Sequence, residues 1–164
     1  MNAKLSLLVL VSTIFALSGS SCPSSCPDDA SNLAVVRIDY ELISTTSATQ
    51  GTVRVTGVIE NTGTSTFDSS AGQQSVQLYR GLDFQQQPLA QTDFEDLAPG
   101  ATLTVTADVE WNTSTEFPQA FVLYISLDPD LFLDDNEAND ECPTTDNLLS
   151  RSGDEVNDLA GWGS

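Results

Sequence analysis

Between Asp128 and Glu141 the chain sets seven carboxylates, Asp128, Asp130, Asp134, Asp135, Glu137, Asp140 and Glu141, within fourteen positions. No Lys or Arg stands between Arg80 and Arg151 to neutralise them. Carboxylates so crowded either bind a cation or repel one another. The oxygen-only set Asp128, Asp130, Asp134, Asn136 and Asp140 suits calcium, a hard ion with oxygen ligands. The spacing is not that of an EF-hand, because no glycine sits inside the loop and the D-x-[DN]-x-[DN]-G arrangement is absent. A second reading of the same residues needs no ion: Asn136 and Asn139 bond the local backbone and shape a turn whose carboxylates are solvated. Both readings stay open at this level. Ca2+ is the one cofactor suggested, and none is required.

Composition removes most other chemistry. There is no histidine, and the only lysine is Lys4. Ser-His-Asp triads, Cys-His pairs, lysine Schiff bases and histidine metal sites are therefore outside the repertoire. Three cysteines without histidine also fall short of the usual zinc ligand set. Carboxylate-driven glycoside hydrolysis is the one enzyme class left, and it needs a substrate groove and one raised pKa. The expectation is a protein that is not an enzyme. A formal charge of −19 excludes nucleic acid as a partner and sets the chain against an anionic membrane surface unless a lipid anchor or divalent ions intervene. Asn112-Thr113-Ser114 reads as a chance sequon.

Residues 1–21 read as an export signal: Lys4, an apolar core from Leu5 to Leu17, then the small residues Ser18, Gly19, Ser20 and Ser21. The rest of the chain fits one domain outside the cytoplasm. Cys22 stands where bacterial lipoproteins carry their lipidated cysteine, although Gly19 replaces the usual aliphatic residue three positions earlier. Assigning Cys22 to lipid leaves Cys26 and Cys142 as an even pair for a disulfide in an oxidising compartment. The alternatives are a Cys22–Cys26 bridge with Cys142 free, or one reactive thiol. Residues 22–32 then form an anchor or linker, 33–150 the folded body and 151–164 a flexible tail.

The elements that must position these residues are strands. Ala34, Val36, Ile38, Tyr40 and Leu42 alternate with Val35, Arg37, Asp39 and Glu41; Val53, Val55, Gly57 and Ile59 alternate with Arg54, Thr56, Val58 and Glu60. Ala101, Leu103, Val105, Ala107, Val109 and Trp111 give the cleanest alternation, against Thr102, Thr104, Thr106, Asp108 and Glu110. Further strands are expected at 76–80, 89–94, 121–127 and 144–149. Asn61-Thr62-Gly63, Arg80-Gly81 and Ala98-Pro99-Gly100 supply the reversals between them. About seven short strands without a helical period predict an all-β fold, an immunoglobulin-like antiparallel β-sandwich.

In order, the chain carries V-I-E-N-T-G, then S-V-Q-L-Y, then L-A-P-G-A-T-L-T-V-T before Trp111, then the apolar strand from Phe121 and the acidic turn Asn136-Glu137-Ala138-Asn139-Asp140. These elements, spread over Leu33 to Leu149, resemble the bacterial cell-adhesion-related domain family, CARDB, whose members close with a turn of the form N-E-x-N-N. The resemblance implies an immunoglobulin-like sandwich used in exported and surface proteins for adhesion or spacing, without catalysis. The expected role is a lipid-anchored adhesion, scaffold or protein-interaction module of the bacterial cell envelope, with an envelope protein or glycan as partner and a membrane met only through the anchor. The competing expectation is a calcium-dependent binding module for carbohydrate or protein acting through residues 128–141.

Overall fold

A computed structural model describes residues 29–114, 119–129, 131–159 and 161. The signal, Cys22, Cys26, Asp130 and the last three residues lie outside the described residues. Among the described residues, β1 (Leu33–Ser47), β2 (Gln50–Asn61) and β7 (Thr102–Asn112) form one antiparallel sheet in the order β1-β2-β7. A second sheet has the order β5-β4-β8-β9, from β4 (Gln74–Arg80), β5 (Ala90–Asp93), β8 (Phe121–Leu127) and β9 (Leu148–Arg151). A two-residue ribbon of β3 (Phe67–Asp68) and β6 (Asp96–Leu97) and a short helix, α1 (Asp154–Leu159), complete it. These sheets make the expected immunoglobulin-like sandwich.

Period-two side chains from both sheets fill the core. Val53, Val55, Ile59, Val105, Val109 and Trp111 meet Val76, Leu78, Phe121, Leu123 and Ile125, with Phe67, Phe94 and Leu97 also in the core. Gly57 occupies an inward position because there is no room for a side chain: a Cβ there would come within 2.4 Å of Leu123 Cδ1. Gly81 and Gly100 take positive φ in the expected reversals.

Three expectations shift. The pairing of β1 with β2 slips between Val35 and Arg37, so the alternation changes phase there. Val36 is consequently exposed, while Leu33, Val35, Ile38, Tyr40 and Leu42 belong to the core or pack against it. The strand expected at 144–149 lies later, at Leu148–Arg151, because residues up to Asn147 are engaged in loop contacts.

The expected tail is the third. Residues 151–159 finish β9 and form α1, whose Val156 is fully buried. Asn157 Oδ1 accepts a 2.8 Å bond from Trp111 Nε1, and Arg151 stacks on the Tyr40 ring at 4.7 Å. Tyr40 in turn donates to the Arg151 and Ser152 carbonyls.

Candidate functional site

Strand β8 delivers the acidic segment at one end of the sandwich. Asp128 donates its N–H to the Gln73 carbonyl at 2.7 Å and accepts at its own carbonyl from Leu131, which opens a single 3-10 turn, Leu131–Leu133. Leu131 is buried and anchors this turn. Beyond it, the chain folds on its own asparagines. Asp134 Oδ1 accepts from the Asn136 N–H at 2.9 Å, and Asp134 Oδ2 accepts from Asn139 Nδ2 at 2.9 Å. Asn136 Oδ1 takes the Ala138 N–H at 3.1 Å, and Asn136 Nδ2 donates to the Asp68 carbonyl at 2.9 Å. The Asp68 N–H returns a bond to the Ala138 carbonyl at 3.2 Å, so the turn is stitched to β3 from both sides.

This geometry sets the charges. The Asn139 side chain, and then the Asn136 N–H, hold the Asp134 carboxyl below its ordinary range. Burial, reinforced by the charges of Asp134 and Glu137, pushes Asp140 upward. Asp135 sits at φ 62°, a conformation that Asp tolerates better than most residues. Of the expected cation ligands, Asp134 and Asn136 are brought together and bonded to each other, Asp128 is placed at the end of β8, and Asp130 lies outside the described residues. Among the described residues no group of three or more His, Cys, Asp or Glu side chains is gathered in a way that could hold a metal. Cys142 is half-buried immediately after the turn, and its N–H donates to the Ser31 carbonyl at 3.2 Å. Ser31 and Asn32, expected in the linker, are thus part of the fold.

A second feature did not stand out in the sequence. On the face of the four-stranded sheet turned away from the core, Tyr79 and Tyr124 flank Phe84 from the β4–β5 loop, with ring centroids 5.1 and 5.7 Å away. Phe84 remains 40% exposed, and its loop neighbours Leu82 and Leu89 are 69% and 40% exposed. The available signal was three large apolar residues in a Gln- and Pro-containing connection, where polar residues are the rule.

No helix of the described residues is long and apolar enough to cross a membrane. Compared with known protein families and curated proteins, the chain matches no family model and no curated protein.

Proposed function

We propose that this protein is an exported, lipid-anchored interaction module of the bacterial cell envelope, an adhesion or scaffold domain of the CARDB type that binds an envelope protein or glycan without catalysis. The observation that carries the reading is Phe84, 40% exposed where it packs on Tyr79 and Tyr124 of the four-stranded sheet, with Leu82 and Leu89 exposed in the same loop. Exposed aromatic and aliphatic clusters on sheet faces are the usual anchors of protein recognition. The proposed Cys26–Cys142 bridge is supported by the pairing of Ser31 with Glu141, which brings the chain five residues after Cys26 to the residue beside Cys142. With that pair assigned, Cys22 is the lipid acceptor; intact mass of membrane-extracted protein should show an acylated chain beginning there.

The immobilised protein should retain a defined set of proteins or glycans from a cell-envelope extract. A double variant, Leu82→Ser with Phe84→Ser, should lose that set while keeping its circular dichroism spectrum. An identical bound set from the variant would defeat the reading. The competing reading, calcium-dependent binding through residues 128–141, is favoured by Asp140, whose carboxyl is crowded by Asp134 and Glu137 in a way a divalent ion would relieve. Retention that requires calcium, and is lost when Asp134 and Asp140 become Asn, would favour it.

A further inference from the structure

Five residues behind the acidic turn form a closed ring. Ser31 pairs with Glu141 as an isolated bridge between the chain entering β1 and the chain leaving the turn. Glu141 Oε2 accepts a 2.6 Å bond from Asn147 Nδ2. Asn147 follows Asp146, whose Oδ2 accepts a 3.1 Å bond from Asn32 Nδ2, and Asn32 follows Ser31. The backbone holds the ring from outside, since Asp146 and Asn147 accept at their carbonyls from Val35 and Ile125, both at 2.9 Å.

Each member keeps one oxygen that is buried and has no hydrogen-bond partner: Ser31 Oγ, Asn32 Oδ1, Glu141 Oε1, Asp146 Oδ1 and Asn147 Oδ1. Ser31, Glu141 and Asn147 are only 3%, 5% and 9% exposed. Turning the carboxamides over does not help. Asn32 and Asn147 each spend an N–H on a carboxylate oxygen, and a flip would set oxygen against oxygen. The free atoms are therefore two carboxylate oxygens, two carboxamide oxygens and one hydroxyl. Buried acceptors without donors cost free energy wherever they occur, and buried carboxylates are held by hydrogen bonds, ion pairs or metals. No Lys or Arg side chain is hydrogen-bonded or ion-paired to Glu141 or Asp146 among the described residues.

We infer that the ring formed by Ser31, Asn32, Glu141, Asp146 and Asn147 is a calcium site, distinct from the Asp128–Asp140 turn, that ties the entry of β1 to the loop before β9. Hard oxygen ligands with two negative charges fit calcium, whose coordination of about six to eight oxygens leaves room for backbone carbonyls or water. Magnesium fits less well, because it demands stricter geometry and gives up its waters reluctantly. Bound calcium would brace the fold where the proposed anchor segment joins it.

The test is equilibrium dialysis of the purified protein against radioactive calcium at fixed ionic strength, with magnesium as competitor. One calcium per chain should bind, and a hundredfold excess of magnesium should displace little of it. Asp146→Asn should weaken binding at least tenfold, and Ser31→Ala severalfold, whereas Asp134→Asn should bind like the parent protein. Ser31→Ala also decides the matter if Asp146→Asn fails to fold. Without an ion, removing an unpartnered buried hydroxyl should raise the melting temperature in chelator and leave calcium binding unchanged, a pair of results that overturns the proposal. No saturable calcium, equal displacement by magnesium, or loss confined to Asp134→Asn would overturn it as well.

Discussion

The ring around Glu141 starts where the Asp134–Asp140 turn ends, and both are built largely from carboxylates and asparagines, yet they meet their electrostatic demands differently. In the turn, both Asp134 oxygens, both Asn136 polar atoms and Asn139 Nδ2 are occupied by partners within the turn or on β3 and Ser69, and one oxygen, Asn139 Oδ1, is buried without a partner. Its carboxylates face solvent, where water screens their repulsion. In the ring, the two carboxylates and two carboxamides each keep one buried oxygen without a partner, and the buried Ser31 hydroxyl has none. The lesson concerns what acidic density means. The segment richest in carboxylates is the one best able to stand alone, and the two carboxylates behind it carry the stronger demand for a counter-charge.

The largest test of this contrast is Cys142→Ser. Loss of a bridge closing more than a hundred residues would cost several kcal/mol, with ~4.7 as the chain-entropy estimate and real bridges commonly giving less. Urea unfolding of the variant measures it, and peptide mapping without reduction should recover Cys26 joined to Cys142. A Cys22–Cys26 product would remove the bridge from the ring's supports.

Next comes pH. Burial first, with Asp146 acting in the same direction and the Asn147 and Leu33 N–H groups opposing, pushes the Glu141 carboxyl up to about 7 from an ordinary value near 4.5. The folded state therefore binds the proton more tightly than the unfolded state. The associated stability is fully present below about 4.5 and is lost as pH rises through about 7, a change of about 3 kcal/mol. Denaturant melts in chelator should show that decline, and Glu141→Gln should flatten it. A parent profile that rises between those pH values would contradict the assigned burial.

Smaller effects belong to the turn. Asn139 is fully buried and donates to Asp134 and Ser69, so Asn139→Ala should cost about 1–3 kcal/mol in chemical denaturation while leaving calcium affinity unchanged. Asp135→Gly should do least, raising stability by about 0.5 kcal/mol through relief of its positive φ. Loss of calcium binding in either variant would move the ion from the ring to the turn.

Much of the sandwich was legible because strands buried on one face write their alternation into the sequence, as Leu103 to Trp111 do. The phase change at Val36 was not, since a bulge is set by the partner strand's register and not by local composition. Neither was α1, whose six residues are too few for a helical period and whose stability comes from Val156 and Asn157 docking near Trp111. The turn's position was visible, along with the asparagines that shape it. The ring was invisible because Ser31 and Asn32 stand more than a hundred residues from Glu141, Asp146 and Asn147, and only the folded sandwich makes them neighbours.

The most direct measurement is a crystal structure of the protein grown with calcium, with anomalous diffraction used to locate the ion. A single strong peak is expected within reach of Ser31 Oγ, Glu141 Oε1, Asp146 Oδ1 and the Asn32 and Asn147 carboxamide oxygens, and none at Asp134 or Asn136. A peak in the Asp128–Asp140 turn, or calcium-saturated crystals with no peak at the ring, would contradict the assignment.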